Sequence, residues 1–207
     1  ANSNGGAIYT EGNANIDSAT FTNNGANSNG GAIYTVGDLT LTGVNTFNTN
    51  KANGGNGGSI YTKRNANIES ATFSKDYASK NGGSIYTYGD LTITGTDTFD
   101  NFQANGNGGA IYTQGSANII SSTFKDANYV AGDGGAIYTV GDLTISNVNI
   151  NNINNCNGNG YGIYTTGSNV NIANSVLTSN GQDGTSVDGN GVIYIKKGSK
   201  YYKRQYE

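Results

Sequence analysis

Apolar residues recur along this chain in short segments that return at a regular interval and show no helical spacing. In one period, Gly31–Thr35 is a β-branched and aromatic run, Leu39–Thr42 alternates apolar and polar residues, and Val44–Phe47 is a third short apolar segment. Runs of this kind between glycine and asparagine predict strands. Three strands and three breaks per period predict one coil of a parallel β-helix. The Asn- and Gly-rich segment after Phe47 is predicted to be a loop.

The clearest marker of the period is the hexapeptide motif Gly-Gly-Ala-Ile-Tyr-Thr, which we name the phrase and which occurs eight times in strict or looser form. Its tyrosines stand at nearly equal intervals, as from Tyr86 to Tyr112 and from Tyr112 to Tyr138. A fixed period of roughly 26 residues is typical of a solenoid. We therefore predict an all-β protein, a parallel β-helix of about eight coils over residues 1–195. A basic tail or cap is predicted over residues 196–207.

Coils that stack in register place equivalent side chains in columns. Because side chains alternate between the two faces of a strand, we expect the isoleucine of the phrase and the phenylalanine of the third strand to face the core. The predicted isoleucine column is Ile8, Ile33, Ile60, Ile85, Ile111, Ile137, Ile163 and Ile193. The predicted phenylalanine column is Phe21, Phe47, Phe73, Phe99 and Phe124.

The tyrosine of the phrase is expected on the face opposite to isoleucine. These tyrosines form a candidate partner-binding ladder: Tyr9, Tyr34, Tyr61, Tyr86, Tyr112, Tyr138, Tyr164 and Tyr194. A row of tyrosines is amphipathic and suits a glycan or protein partner, but it also shields strand edges and adds packing energy. Both interpretations stay open at this point. With the threonine and asparagine rows, the ladder predicts a repeated Tyr/Thr/Asn outer face.

Composition gives little support for catalysis or for cofactor and metal binding. The 207 residues include no histidine and carry a formal net charge of -3, which does not suit nucleic acid. Asp38, Asp90 and Asp142 lie at equivalent turns two coils apart, and this separation favours turn hydrogen bonding over a calcium site. Asp97 and Asp100 are expected on a polar loop edge. We therefore predict no catalytic residues, no metal ligands and no cofactor.

Two further features concern the compartment and the membrane. No apolar run approaches the ~20 residues of a membrane helix, so we expect no membrane insertion by this segment. Cys156 is the only cysteine and lies in an Asn/Gly-rich stretch. It is expected to be a free thiol, with an intermolecular disulfide as the less favoured alternative.

Two motifs within the period resemble those of a known family. Gly-Gly-Ala-Ile stands at Gly5–Ile8, Gly30–Ile33, Gly108–Ile111 and Gly134–Ile137, and Phe-x-x-Asn at Phe21–Asn24. In these motifs the chain resembles the polymorphic outer membrane proteins, which are autotransported adhesins, and the adhesin-like surface proteins of methanogenic archaea. The resemblance implies a right-handed β-helix of the pectin-lyase type and a location outside the cell or at its surface. The general preference for right-handed parallel crossovers agrees with that hand.

These observations predict a non-enzymatic extracellular surface protein, an adhesin passenger or stalk. Its partner would be a glycan or protein of a host or neighbouring cell, or further copies of the same chain. One alternative is an extracellular filament that assembles end to end through uncapped β-helix ends. A second alternative is a glycan-active enzyme on a β-helix scaffold, although a fold by itself does not establish an activity.

Overall fold

The computed structural model of the chain describes residues 1–178 and the strands Val187–Gly189 and Val192–Ile195. The secondary structure of this part consists of strands and turns without a helix, so it contains no helix that could cross a membrane. Each strand pairs in parallel with its equivalent in the neighbouring coils. The predicted parallel β-helix of about eight coils is therefore confirmed. The predicted tail at 196–207 lies outside the described residues.

Four parallel sheets, which we name A to D, run along the solenoid. Sheet A contains Ile8–Thr10, Ile33–Thr35, Ile60–Thr62, Ile85–Thr87, Ile111–Thr113, Ile137–Thr139, Ile163–Thr165 and Val187–Gly189. Sheet B contains Ala14–Asp17, Leu39–Thr42, Ala66–Ile68, Leu91–Ile93, Ala117–Ile120, Leu143–Ser146, Asn169–Ala173 and Val192–Ile195. Sheet C contains Thr20–Thr22, Asn45–Asn48, Ala71–Ser74, Asp97–Asp100, Ser122–Lys125, Asn149–Asn151 and Val176–Leu177. Sheet D contains Gly25–Ala26, Lys51–Ala52, Tyr77–Ala78, Gln103–Ala104 and Tyr129–Val130.

Sheet D lies in the segment that the sequence predicted to be a loop. Its strands are two residues long, which is too short to show a periodic pattern. The second residue of each strand is buried, and these residues form a column: Ala26, Ala52, Ala78, Ala104 and Val130. Cys156 continues this column through a parallel bridge to Val130. The thiol is therefore buried in the core, and its burial raises its pKa, which argues against an intermolecular disulfide.

The turn before each strand of sheet A requires glycine. Gly57, the first glycine of its phrase, has φ +65°. A Cβ atom at this position would lie 2.0 Å from the carbonyl oxygen of Ile60. Both the left-handed backbone and the close approach exclude a side chain. The equivalent glycines of the other coils have the same conformation, so the repeated glycine reflects a repeated corner.

The core is built from stacked columns. The isoleucines from Ile33 to Ile163 are fully buried, whereas Ile8 in the first coil is half-buried. Successive rings from Phe21 to Phe124 stack with centroids 4.5 to 5.0 Å apart and planes within 10° of parallel. This spacing matches the distance of ~4.8 Å between paired strands. The Cα register of the sheets therefore brings like side chains into direct contact.

The last copy of the phrase does not follow the predicted columns. Val187–Gly189 takes the next place in sheet A, and Val192–Ile195 takes the next place in sheet B, where Tyr194 lies beside Asn171. Ile193 and Tyr194 therefore do not extend the isoleucine column and the tyrosine ladder. The interval from Tyr164 to Tyr194 is longer than every other interval between successive tyrosines of the phrase. This longer interval is the sequence feature that indicates the different position of the last copy.

Candidate partner-binding surface

Seven of the predicted tyrosines form one stack on the outer side of sheet A. They are Tyr9, Tyr34, Tyr61, Tyr86, Tyr112, Tyr138 and Tyr164. Successive ring centroids are 4.9 to 5.2 Å apart, and the planes are 2° to 18° from parallel. The buried rings of this stack form a cluster separate from the main core. Ile and Tyr of the phrase thus point to opposite faces of sheet A.

The ring faces within the stack are covered by neighbouring rings. Tyr34 and Tyr61 are 5% exposed and Tyr86 is 4% exposed, whereas Tyr9 in the first coil is 55% exposed. Tyr88 lies edge-on against the stack, with its centroid 5.3 Å from that of Tyr86. The middle of the ladder is therefore a packed column with little aromatic surface to offer a partner. The half-buried tyrosines of the later coils keep more of their edges accessible.

Burial also changes the acidity of the ladder. Desolvation is the largest cause that raises the pKa of Tyr61, Tyr86, Tyr112 and Tyr138 above the usual 10. The Tyr86 hydroxyl accepts a hydrogen bond from Gln114 Nε2 at 2.8 Å, which lowers its pKa only in part. The hydroxyl groups of these four tyrosines are thus neutral over the physiological range, and their rings contribute packing.

The threonine row does not belong to an outer face, and this part of the predicted Tyr/Thr/Asn surface is wrong. From Thr35 to Thr165 these side chains are at most 1% exposed. Their hydroxyls donate to backbone carbonyls at the corner that follows sheet A, as Thr35 Oγ1 does to Gly12 O at 2.7 Å and Thr113 Oγ1 to Gly89 O at 2.8 Å. The physical reason is alternation, because this threonine is two residues after an inward isoleucine.

Asparagine and aspartate side chains form a ladder at the corner before sheet A. In each rung the Oδ1 atom accepts the backbone N–H of the equivalent residue in the next coil, at 2.7 to 3.0 Å. The accepting residues are Asn4, Asn29, Asn56, Asn81, Asn107 and Asp133. These oxygens hold successive coils together, so they are not free to bind a partner.

The turn aspartates that were candidates for calcium make the same kind of bond. Asp38 Oδ1 accepts the Asn65 N–H at 3.1 Å, and Asp90 Oδ1 accepts the Ser116 N–H at 2.8 Å. Asp142 Oδ1 accepts the N–H of Asn169 in the next coil in the same way. Over the described residues no group of three or more His, Cys, Asp or Glu side chains is placed to hold a metal ion.

Asp97 and Asp100 lie in a strand of sheet C and not on a loop edge. Asp97 is fully buried, and its Oδ1 atom accepts the Ala71 N–H at 2.7 Å. Asp100 is on the outer face, 3.6 Å from the ammonium group of Lys125. Because the two carboxyl groups point to opposite faces of the strand, they cannot converge on one glycosidic bond. Burial raises the pKa of Asp97 to about 7.

A buried polar cluster surrounds Asp76 and was not recognised from the sequence. Asn50 donates its N–H to Asp76 Oδ1 at 2.9 Å and its side-chain amide to Ser59 Oγ at 3.0 Å. Ser84 lies on the same buried side of the next coil. Desolvation raises the pKa of Asp76 to about 7 despite hydrogen bonds from Ser59 and Asn50. The signal was the replacement of alanine by serine in the phrase at Ser59 and Ser84.

A polar groove of about 550 Å³ lies along the outer side of sheet D. Its lining includes Lys51, Lys75, Tyr77, Gln103 and Asn128. No role for these residues could be predicted from the sequence, because they lie in the segment predicted to be a loop. The stacking of coils brings together side chains as distant in sequence as Lys51 and Asn128.

The comparison with known families concerns one coil junction. A model of the Chlamydia polymorphic membrane protein repeat matches residues 18–36. This segment contains both Phe21–Asn24 and Gly30–Ile33, the two motifs that carry the resemblance. None of the curated proteins and none of the solved structures gives a significant match. Through this repeat the chain is similar to the polymorphic membrane proteins, which confirms the resemblance drawn from its sequence.

Proposed function

We propose that the chain is a non-enzymatic repeat segment of an extracellular surface protein, an adhesin passenger or stalk. The repeat match at residues 18–36, inside an unbroken solenoid whose other coils carry the same motif, is the observation that carries this proposal. A repeat of this family is consistent with a surface location. The stacked phenylalanine and tyrosine columns suit a stiff spacer.

The mechanism would be display from a rod. Sheet A has eight strands, and seven steps of ~4.8 Å give a length of roughly 34 Å. Each coil packs against its two neighbours, as in other solenoids, so the rod holds surface groups at fixed spacing. The accessible edges of Tyr112, Tyr138 and Tyr164 would offer hydroxyl and aromatic contacts to a glycan or protein.

Location can be tested with antibodies raised against the purified chain. We expect them to label intact cells of the source organism as strongly as permeabilised cells. Label that appears only after permeabilisation would contradict the proposal. The control is an antibody against a cytosolic enzyme, which should label permeabilised cells alone.

Adhesion needs a second experiment. The soluble chain, added in excess, should reduce attachment of the source cells to their natural surface, because it competes for the same partner. An equal amount of the chain unfolded by heat is the matched control. Attachment that is unchanged by the folded chain would argue for a pure spacer. The filament and the glycan-active enzyme stay predictions, for which light scattering and glycan product analysis are the direct tests.

A further inference from the structure

The groove over sheet D is formed by equivalent positions of adjacent coils. Lys51, Tyr77 and Gln103 are register partners in three successive strands, and each precedes a buried alanine. Their side chains therefore line one row on the outer side of the sheet. The groove extends from the coil of Lys51, the second along the chain, to the coil of Asn128, the fifth. These three steps of ~4.8 Å give it a length of roughly 14 Å.

A second row borders the groove at the corner between sheets C and D. Thr49, Lys75 and Asn101 occupy the same place in successive coils, and their φ angles are 58°, 57° and 54°. This left-handed conformation recurs at the corner whatever the residue type. Side chains of different chemistry are therefore tolerated at this corner. Thr49 supplies a hydroxyl group to the border of the groove, Lys75 an ammonium group and Asn101 an amide.

The fifth coil closes one end of the groove. The segment Phe124–Tyr129 is one residue longer than the equivalent Phe99–Gln103, since both ends of the two segments are paired in register. Asn128 lies in the longer segment, lines the groove and donates its side-chain amide to Gln103 Oε1 at 3.0 Å. The additional residue in this coil thus places Asn128 at one end of the row of Lys51, Tyr77 and Gln103, so the groove is bounded at that end.

The groove concentrates positive charge on an acidic chain. Lys51 and Lys75 are exposed, and neither takes part in an ion pair within residues 1–178, where Lys125 pairs with Asp100. Asp76 also lines the groove, but it is only 1% exposed and its carboxyl group bonds to Asn50. The acid at the next corner, Asp126, accepts a hydrogen bond from the Asn152 side chain. Both lysines are therefore available to an anion.

We propose that this groove binds an acidic oligosaccharide, with Lys51 and Lys75 contacting its carboxylate or sulfate group. Amides and hydroxyls such as those of Asn101, Gln103 and Tyr77 both donate and accept hydrogen bonds, which suits a ligand rich in hydroxyl groups. The Tyr77 ring supplies a half-buried apolar surface for the face of a sugar. This inference deepens the proposed function, on which it rests for its biological meaning, by naming the class of partner.

The test is calorimetric titration of the purified chain with four probes of similar length. They are tetragalacturonate, its neutral methyl ester, a sulfated tetrasaccharide and tetraglutamate. We expect one or both acidic sugars to bind, and the neutral ester to bind at least about tenfold more weakly. Comparison of the first and third probes distinguishes a carboxylate from a sulfate ligand.

Variants locate the site. The double substitution Lys51→Gln with Lys75→Gln should weaken binding by about tenfold or more, and raised salt should weaken it further. The matched control is Lys63→Gln with Lys80→Gln, two exposed lysines outside the groove, which should change affinity by less than about twofold. Circular dichroism spectra that match the wild type show that both variants fold.

Three results would overturn the proposal. They are no binding of either acidic sugar at millimolar concentration, equal binding of tetraglutamate, and an equal loss of affinity in the control variant. The outcome is separate from the cell-labelling experiment. Sugar binding without surface label would contradict the proposed surface location and support the groove as a binding site. Surface label without sugar binding would support the surface location and contradict the binding site.

Discussion

Replacing Asp76 by asparagine should stabilise the solenoid at neutral and alkaline pH. Asp76 is 1% exposed, and its Oδ2 atom has no hydrogen-bond partner. Burial raises its pKa from 3.8 to about 7, because an ionised carboxylate is poorly solvated in the core. Asn24 and Asn50 hold the same place in the two preceding coils, and the Ser84 hydroxyl group, which faces Asp76, can accept a hydrogen bond from the new amide.

The magnitude follows from linkage between protonation and folding. A pKa that rises from 3.8 in the unfolded chain to about 7 in the folded chain corresponds to about 4 kcal/mol. The folded state binds more protons between these two pH values. The contribution of Asp76 to the free energy of unfolding is therefore fully present below pH 4, is lost as the pH rises towards 7, and does not change further above pH 7. The Asp76→Asn variant should equal the wild type within about 1 kcal/mol at pH 4 and exceed it by up to about 4 kcal/mol at pH 8.

The assay is guanidinium unfolding at pH 4, 6 and 8, followed by far-ultraviolet circular dichroism. The control is Asp100→Asn, which removes an outer carboxylate and should change stability by less than about 1 kcal/mol at every pH. A stability difference between Asp76→Asn and wild type that is the same at pH 4 and pH 8 would refute the reasoning. Asp97→Asn provides an independent repeat, since Asn45 holds the same place two coils earlier.

Three further predictions concern the stacked columns and the corners. Phe73→Ala removes a ring stacked on both sides and should cost about 4 kcal/mol in chemical unfolding, and a loss below about 1 kcal/mol would contradict the account. Gly57→Ala should cost at least about 2 kcal/mol, whereas Gly12→Ala, whose Cβ would meet no atom closer than 3.9 Å, should cost about 0.5 kcal/mol or less. In absorbance titration at alkaline pH, Tyr61 and Tyr86 should ionise later than free tyrosine, and uniform ionisation near 10 would contradict the buried ladder.

The fold could be predicted because its signal is repeated. The first seven copies of the phrase show the same inward isoleucine and outward tyrosine, so local ambiguity in one coil is resolved by the others. The register of Phe47 with Phe73 follows from the period alone, and the structure shows these rings stacked at 4.8 Å. Period and alternation together therefore suffice for the coil and for its central columns.

Features without repetition could not be predicted in the same way. The strands of sheet D carry Lys51, Tyr77 or Gln103 beside a small alanine, and two residues show no alternation. Asp97 is buried against expectation because the carboxyl group takes the place that Asn45 has in an earlier coil. The groove was missed for a related reason, since its lysines become neighbours only through the stacking of coils.

The central claim is that successive periods stack in register as one solenoid. It is tested most directly by the distance between spin labels at Thr20 and Asn149 in a Cys156→Ser background. Both positions are exposed, and they are joined by an unbroken series of register partners in sheet C. Five steps of ~4.8 Å predict a backbone separation of roughly 24 Å and a narrow distance distribution. A broad distribution, or one centred far beyond this length, would contradict the stacked solenoid.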